Sequence, residues 1–571
     1  MLWKSIHPDL DIPTNKTTWE WAFEDPLYSP LARGTDVGCY LNTSTLERLP
    51  FTTVKSHATA LHKALSSRYG FGPGQTVSLF SPTSVWYPVV MWAVVRAGGR
   101  INGASPAYTA EEMAHALRTA DTKIMVTAPE CLEVALEAAR QVGLAQDRVL
   151  LLETTAKTEF TSVQSLVREI EADADGDITP FYRIPPGKTN RDICGYLNFS
   201  SGTTGFPKAV MLSHHNVIAQ CHQLRQMQLL PSDGGRYRIL AVMPLFHITG
   251  LVRFCTYPLL MNGDSLMMPR FEMEDMLIQI IRYRVEELIL VPPLIVRMVR
   301  DPVVDRYLPQ LRAVVKRWGS GSAPISHEII ALLKARFPDS GFRQGYGATE
   351  STACISQHPP THLDFRYAST GGLLVANTVA KVISLEDPRK ILRAGETGEI
   401  CAKGPQIAMG YLGDEAATRQ SFDEDGFLHT GDVGHIDEEG LIHIEDRIKE
   451  MIKVKGLQVP PAELEAVLMG HVNVEDCAVV GIEDDYAGER PKAFVVPRKD
   501  MASSRLGHEL LNLVKQSKVR YKWLIEIEFV EGLPKSPTGK LLRRVLKAVN
   551  HKQESRRGFR VQEEGRERAK L

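Results

Sequence analysis

The stretch YLNFSSGTTGFPKAV, residues 196–210, is the most informative part of this sequence. It begins as an apolar, strand-like run, continues into hydroxyl side chains and glycines, and ends on a lysine. The glycines allow backbone N–H groups to turn towards an anion, the hydroxyls can donate hydrogen bonds, and the lysine adds a positive charge. These features predict a phosphate-binding loop formed by Ser200, Ser201, Gly202, Thr203, Thr204, Gly205 and Lys208.

The predicted loop differs from the Walker A pattern of P-loop nucleotide-binding proteins. Phe206 and Pro207 separate its last glycine from Lys208, and no Ser or Thr follows the lysine. A Ser/Gly-rich surface loop is the alternative interpretation. Such a loop does not readily explain why glycines, hydroxyls and a lysine occur together directly after a strand.

The sequence on both sides of this loop alternates short apolar runs with amphipathic segments. This rhythm is typical of doubly wound α/β layers, with parallel strands joined by helices. Strands are expected at residues 76–80, 123–127, 239–243, 287–291 and 313–318, and helices at 84–96, 109–119, 130–141, 273–283 and 326–337.

The pattern of predicted secondary structure changes beyond Arg393. Short strands punctuated by glycine, at 398–403, 427–429 and 440–445, predict a β-rich subdomain. After residue 446 a compact α+β pattern begins. We therefore expect an α/β protein with a large N-terminal body of several subdomains, residues 1–446, a small mobile C-terminal domain, residues 447–549, and a flexible charged tail, residues 550–571.

Composition excludes several classes of protein. The 571 residues carry 67 Lys and Arg against 68 Asp and Glu, so the chain lacks the basic excess of a nucleic-acid-binding protein. Eight scattered cysteines without paired spacing do not form a disulfide framework and favour a reducing compartment. The N-terminus lacks the apolar core of a secretory signal, and no apolar stretch reaches the roughly 20 residues that span a membrane.

The chain ends on Ala569-Lys570-Leu571, a variant of the Ser-Lys-Leu tripeptide that directs proteins to the peroxisome. The polar run before it, residues 550–568, is expected to be solvated and to present the tripeptide to an import receptor. The sequence therefore predicts a peroxisomal protein. A chance ending of a basic tail, with a cytoplasmic location, is the alternative.

Further motifs follow the predicted loop in a fixed order. They are PLFH at 244–247, SGSAP at 320–324, QGYGATE at 344–350, GETGE at 395–399, HTGD at 429–432, DRIKE at 446–450 and PKSPTGK at 534–540. With the loop, this series resembles the adenylate-forming superfamily, and among its members most closely the acyl-CoA and 4-coumarate–CoA ligases. The resemblance covers roughly residues 56–549.

This resemblance implies a nucleotide site with Mg²⁺. It assigns ATP and AMP contacts to the loop residues and to Gln344, Gly345, Tyr346, Thr349, Asp432, Arg447 and Lys540. Tyr346 would stack on the base, Asp432 would accept hydrogen bonds from the ribose, and Arg447 would contact the ribose or a phosphate. Thr349 and Glu350 would act in catalysis, and the Glu350 carboxylate would face Mg²⁺, which prefers oxygen ligands. Outside the resemblance, Asp432 is equally well explained as a turn residue.

The resemblance also implies catalytic and CoA-binding residues in the C-terminal domain. Lys540 would stabilise the charge that develops on the α-phosphate, and Lys453 and Gln458 match residues with catalytic roles in the coumarate-type ligases. Lys455 and Gly456 would contact the pantetheine arm of CoA, with Lys449 at the hinge. Taken without the resemblance, these lysines are exposed surface residues.

A pocket for the acid is implied at His247, Thr249, Gly250, Arg253, Gly319, Ser322, Gln344 and Gly345. His247 would form a wall of this pocket, without an acid–base role. Thr249 stands where coumarate-type ligases often have Tyr, so a phenolic acid is not favoured. Arg253 either faces the far end of the acid, which would favour a polar or dicarboxylic substrate, or faces solvent.

The predicted activity is an ATP-dependent acid–CoA ligase, with a small carboxylic acid, ATP and CoA as substrates. A fatty or aryl acid is the default substrate. The alternatives are transfer of the acyl group to the phosphopantetheine arm of a carrier protein, a luciferase-like oxidation, and a non-enzymatic adenylate-binding protein. The combination of Lys540, Glu350 and Gly456 disfavours the last of these.

Overall fold

The structure is a computed structural model that describes residues 1–34, 36–155, 160–172, 179–200, 207–232, 234–323, 325–455, 457–484, 486–535, 541–551 and 560–562. Several predicted site residues lie outside these ranges. They are Ser201, Gly202, Thr203, Thr204, Gly205, Gly456, Lys540 and the C-terminal tripeptide 569–571.

A mainly parallel sheet carries the strand that leads into the predicted phosphate-binding loop. Its order is Gly410–Tyr411, Lys208–Ser213, Cys194–Ser200, Arg100–Ala104, Thr76–Phe80, Thr122–Thr127 and Val149–Leu151. Helices connect or cover its strands at Phe51–Tyr69, Tyr87–Arg96, Ala110–Thr119, Leu132–Val142, Val163–Ala172 and His214–Gln226. Every residue of Thr76–Phe80 is buried, as expected for a parallel strand covered on both faces.

A second sheet begins parallel and becomes antiparallel. Its order is Glu287–Leu290, Arg317–Ser320, Gly341–Tyr346, Ser356–Gln357 and Leu373–Leu374. Its helices are Met273–Arg282, Pro292–Arg300, Leu308–Val314 and His327–Arg336. Trp318 and Phe342 are fully buried in the core between this sheet and its helices. The reversal of direction after Tyr346 sets the strand Ser356–Gln357 against the beginning of the predicted nucleotide motif 344–350.

Two smaller sheets complete the N-terminal body. One has the order Arg238–Ala241, Asp264–Met267, Cys39–Asn42 and Arg48–Pro50, and the other, antiparallel throughout, has the order Leu2–Lys4, Val379–Ile383, Gly398–Lys403, Leu428–Ile436 and Ile442–Arg447. The first fifty residues contain none of the sequence motifs described above, and they are part of this body. Trp19, Trp21 and Phe23, around the π-helix Glu20–Glu24, are buried in its core.

The C-terminal part of the chain forms its own sheet. The order is Leu457–Val459, Ile452–Val454, Gly488–Pro497, Glu526–Phe529 and Arg560–Gln562, and Val474–Asp484 also pairs with Gly488–Pro497. The helices Pro461–Met469, Ser504–Ser517 and Arg543–His551 accompany it. The first two pack with the sheet around a core that includes Leu464 and Leu510.

The structure confirms the α/β fold class, with a large body and a C-terminal domain. The exact domain limits and the mobility of the C-terminal domain stay predictions.

The strand expected at 313–318 is wrong, because a helix continues to Val314 and the strand is Arg317–Ser320. The solvated tail expected at 550–568 is wrong for Arg560–Gln562, because Val561 is buried against Gly507 and its strand pairs with Glu526–Phe529. Among the described residues, no helix is both long and apolar enough to cross a bilayer.

Candidate active site

The two ends of the predicted phosphate-binding loop lie side by side. Strands Cys194–Ser200 and Lys208–Ser213 are antiparallel, and Ser200 is the register partner of Lys208. The Lys208 ammonium lies 3.1 Å from Asp414 Oδ2 and 5.3 Å from the centre of the Tyr411 ring. The strand pairing therefore holds one hydroxyl and one cation at the mouth of the loop, whose residues 201–206 lie outside the described ranges.

Glu350 is held next to this cation through a shared neighbour. It lies on the 3₁₀ turn Thr349–Ser351, which follows the strand Gly341–Tyr346. The Tyr411 hydroxyl donates a hydrogen bond to Glu350 Oε1 at 2.9 Å. Burial, and then the charge of Glu350, raise the pKa of the Tyr411 phenol well above its ordinary value, so Tyr411 stays a donor at neutral pH. Tyr411 thus links the carboxylate of Glu350 to the ammonium of Lys208.

Asp432 joins the two other predicted nucleotide residues into one cluster. The Tyr346 hydroxyl donates to Asp432 Oδ2 at 2.9 Å, and Arg447 Nε lies 3.1 Å from Asp432 Oδ1. Asp432 and Arg447 are register partners on adjacent antiparallel strands. Burial would lower the pKa of the Arg447 guanidinium, but the neighbouring Asp432 and Glu450 carboxylates outweigh it and raise that pKa. The cluster therefore places the Asp432 carboxylate beside a guanidinium that stays protonated.

The predicted acid-pocket residues come from two elements of the body. Gln344 and Gly319 lie on adjacent parallel strands, where Ser320 is the register partner of Gln344. Ser322 adopts the left-handed conformation, with φ of 72°, just after the strand that carries Gly319. Thr249 has helical backbone angles and directly precedes the π-helix Gly250–Thr256, two residues after His247. A Cβ at Gly250 would lie 2.3 Å from Pro244 O, so the close approach of these backbones requires glycine.

Arg253 is buried, with 8% of its surface exposed, so the solvent-facing alternative is wrong. All residues of its π-helix are buried as well. Its Nη2 donates to Gln357 Oε1 at 2.7 Å instead.

Comparison with known proteins identifies the family to which this site belongs. A family model described as AMP-binding enzyme matches residues 36–412. A second model, described as AMP-binding enzyme C-terminal domain, matches residues 463–540. The chain belongs to the AMP-binding enzyme family.

Individual relatives agree with this assignment. The 4-coumarate–CoA ligase 2 of Oryza sativa subsp. japonica is 35% identical over 562 residues, which cover 96% of this chain and 95% of the relative. The peroxisomal OPC-8:0-CoA ligase 1 of Arabidopsis thaliana is 33% identical and covers 89% of each chain. ATP-bound MatB from Rhodopseudomonas palustris, at 24% identity, shares the fold with a TM-score of 0.80 over 94% of this chain and 99% of its own. The AMP-binding enzyme is thus one of the adenylate-forming acyl-CoA ligase family.

The predicted catalytic residues Lys453 and Gln458 and the predicted CoA contact Lys455 of this AMP-binding enzyme lie in the C-terminal part of the chain, on or between the strands Ile452–Val454 and Leu457–Val459. Lys453 and Gln458 are register partners in a hairpin of the C-terminal sheet, and the Lys455 ammonium lies 4.1 Å from the centre of the exposed Tyr486 ring. Among the described residues, no hydrogen bond or ion pair joins Lys453, Lys455 or Gln458 to the Asp432 cluster. Their roles, like those of the other predicted site residues, stay predictions.

Charged residues form contacts on both sides of Lys449, the predicted hinge residue. Asp446 accepts hydrogen bonds from the backbone N–H of Arg447 at 2.8 Å and of Ala462 at 3.0 Å. Burial raises the pKa of Asp446 to about 6. The Arg543 guanidinium binds both Glu450 and Glu465. Arg543 therefore ties the segment after Lys449 to the first helix of the C-terminal domain.

Two supporting residues of the AMP-binding enzyme were not assigned a role from the sequence. Glu399 Oε1 accepts a hydrogen bond from Gly431 N at 3.0 Å, and its Oε2 lies 3.1 Å from His429 Nδ1. These contacts hold the tight turn before Asp432, where Gly431 has φ of 70°. Tyr411 is the other such residue. Nothing in its local sequence indicates that it reaches Glu350, which is 61 residues away.

Proposed function

We propose that this protein is an ATP-dependent acid–CoA ligase. In the first step an oxygen of the acid's carboxylate attacks the α-phosphorus of ATP, and the bond to pyrophosphate breaks to give an acyl-adenylate. In the second step the thiol of CoA, as it loses its proton, attacks the acyl carbon and displaces AMP. The products are acyl-CoA, AMP and pyrophosphate.

The observation that carries this proposal is that two clusters of charged residues meet near the end of strand Gly341–Tyr346. Tyr346 and Glu350 lie within five residues of one another along the chain. Tyr346 donates to Asp432, which pairs with Arg447, while Glu350 is linked through Tyr411 to Lys208. Asp432 offers acceptors to ribose hydroxyls, and Arg447 and Lys208 offer cations to phosphates. Catalysis by such a site consists of orientation and charge neutralisation, and it needs no protein nucleophile.

The residues present are compatible with Mg²⁺. Glu350 provides a carboxylate, the ligand type this ion prefers, and within the described residues only its Oε1 accepts a hydrogen bond. When bound there, Mg²⁺ would neutralise charge on the polyphosphate and on departing pyrophosphate. Glu350 would hold it, with Tyr411 fixing the orientation of the carboxylate.

The C-terminal domain would serve both steps in turn. Lys540 would approach the α-phosphate in the first step, and rotation about Lys449 would then bring Lys455 and Gly456 to the path of the CoA thiol. Lys453 and Gln458 would act from the same hairpin. This hairpin belongs to the C-terminal sheet, whereas Asp432 and Arg447 lie on strands of a sheet of the N-terminal body, and this arrangement supports a need for such movement.

The test is to incubate the full chain with ATP, Mg²⁺, CoA and a panel of carboxylic acids, and to measure AMP, pyrophosphate and acyl-CoA. Exchange of labelled pyrophosphate into ATP isolates the first step. AMP release that depends on a phosphopantetheinylated carrier protein and not on CoA would favour the carrier alternative, and light emission would favour a luciferase-like oxidation. Absence of exchange with every acid would refute adenylate formation.

We also propose that Ala569-Lys570-Leu571 directs the protein to the peroxisome through the import receptor. The peroxisomal location named for one relative supports this location. A fluorescent fusion at the N-terminus should show peroxisomal puncta that disappear when the last three residues are deleted. Unchanged distribution after deletion would refute it.

A further inference from the structure

Arg253 carries a positive charge into the interior of the N-terminal body without full compensation. Its Nη2 donates to Gln357 Oε1 at 2.7 Å, but its Nη1 has no hydrogen-bond partner among the residues that the structure describes. Only 8% of its surface is exposed. Burying an ionised donor without an acceptor is costly. A hydrogen-bond acceptor from outside the described residues would therefore stabilise Arg253 Nη1.

Gln357 adds a second donor at the same place. A guanidinium can only donate hydrogen bonds, so the amide oxygen of Gln357 must face Arg253 and its Nε2 must point elsewhere. That Nε2 is buried and also lacks a partner within the described ranges. Two neighbouring donor groups, one of them charged, are complementary to the oxygens of a carboxylate.

The charges around Arg253 leave a positive excess. Glu287 Oε1 lies 3.1 Å from Arg343 Nη1, and Glu287 Oε2 lies 3.4 Å from Arg317 Nε. Burial would raise the pKa of Glu287, but Arg343 and Arg317, and more weakly Arg253, hold it below its ordinary value. Arg253 itself forms no ion pair within the described residues. An anion would therefore be stabilised beside it.

These donors lie next to the strand that carries the predicted nucleotide and acid residues. Gln357 is the register partner of Gly345, directly before Tyr346. A Cβ at Gly345 would lie 3.4 Å from the sulfur of Cys354, and that sulfur is 3.9 Å from Gln357 Oε1. Arg253 is on the π-helix that begins at the predicted pocket residue Gly250. The donor pair thus borders the predicted acid pocket.

We propose that Arg253 and Gln357 bind a second carboxylate, at the far end of the acid substrate, so that the enzyme prefers dicarboxylic acids. This inference rests on the proposed ligase function. In the substrate complex Arg253 Nη1 and Gln357 Nε2 donate to the distal carboxylate, while the other carboxylate is activated at the nucleotide site. Arg253 and Gln357 then determine specificity and take no part in the chemical steps.

The experiment compares monocarboxylic and dicarboxylic acids matched in chain length, with AMP formation as the readout. At the best chain length, wild-type kcat/KM should be at least about tenfold higher for the dicarboxylic acid, because charge-assisted hydrogen bonds to a buried cation are among the strong ones. Arg253→Met, which keeps the volume and removes the charge, should reduce this ratio by about 10- to 100-fold. The loss should appear mainly in KM.

Gln357→Glu provides a second variant that keeps Arg253 partnered, and so stays informative if Arg253→Met does not fold. Its carboxylate would pair with Arg253 and repel the substrate carboxylate, so the same ratio should fall. Arg317→Met is the matched control, because Arg317 is another buried arginine but pairs with Glu286 and Glu287. It should lower stability without changing the ratio.

Two results would overturn the inference while leaving the ligase function intact. One is AMP formation from monocarboxylic acids with no preference for a second carboxylate at any chain length. The other is an equal loss of activity towards both acid classes in Arg253→Met and Gln357→Glu, which would indicate a structural role. AMP formation from no acid of either class would instead refute the proposed function itself.

Discussion

Replacement of Asp432 by Asn should weaken ATP binding by about 30-fold. Asp432 is 5% exposed; its carboxylate accepts a hydrogen bond from the Tyr346 hydroxyl at 2.9 Å and forms an ion pair with Arg447, whose Nε lies 3.1 Å away. An Asn side chain keeps one oxygen but turns an N–H group towards the other donor, so one charge-assisted hydrogen bond is lost. Such a bond contributes about 1.5–3 kcal/mol.

The exposure of Arg447 reduces this figure. Its side chain is 37% exposed, so solvent screens its attraction to Asp432, and about 2 kcal/mol is a reasonable value for the loss. At 1.4 kcal/mol per factor of ten, this corresponds to about 30-fold in the KM for ATP if the ribose contact depends on the same carboxylate.

The assay is pyrophosphate–ATP exchange at varied ATP and saturating acid. Tyr346→Phe is the matched control, because it removes one neutral donor and leaves the charge of Asp432 in place. It should raise the KM by only about fivefold, as expected for a bond of roughly 1 kcal/mol. An Asp432→Asn enzyme whose KM for ATP stays within threefold of wild type would refute the assignment of Asp432 to the nucleotide site.

Three further predictions concern catalysis, packing and pH. Lys540→Ala should slow adenylation about 10²–10³-fold but spare thioester formation from supplied acyl-adenylate; an equal loss in both half-reactions would contradict its proposed role. Gly250→Ala should lower the free energy of unfolding by about 1–3 kcal/mol in denaturant titrations, because its Cβ would clash with backbone, whereas Gly532→Ala, with open space around the new Cβ, should not. If Gly250→Ala unfolds at the same denaturant concentration as wild type, the surrounding backbone must move to accommodate the new methyl group. Glu399 raises the pKa of His429 above 6.5, so their pairing stabilises the fold below about pH 6.5 and is lost as pH rises through the raised value. The difference in unfolding free energy between wild type and His429→Gln should therefore shrink with rising pH. A difference that grows with rising pH would contradict this prediction.

Some residues of the site were recognisable in the sequence because local chemistry and order along the chain identify them. Ser200, Lys208 and Tyr346 belong to motifs rich in glycines and hydroxyls, and such motifs can be recognised from a short stretch of sequence. The alternation of apolar and amphipathic segments likewise predicts the α/β class, since burial of one helix face or of a whole strand follows from local periodicity. The strand expected at 313–318 was wrong because a short apolar run fits a helix end as well as a strand.

Other features depend on contacts between distant segments. The sequence of the tail is polar, yet Val561 is buried because a sheet edge and Gly507 lie beside it. Tyr411 contacts Glu350 only because strand Gly410–Tyr411 pairs with Lys208–Ser213. No local pattern encodes such pairings.

By itself, the sequence determined the fold class and the order of the nucleotide motifs, because periodicity and loop chemistry are properties of neighbouring residues. It left Arg253 with two opposite interpretations, solvent or pocket. Tertiary structure excluded the first: a fully buried π-helix carries the guanidinium inward, and a strand from 104 residues later supplies Gln357 as its partner. The environment of a charge depends on everything that surrounds it in space, and only the folded chain specifies that.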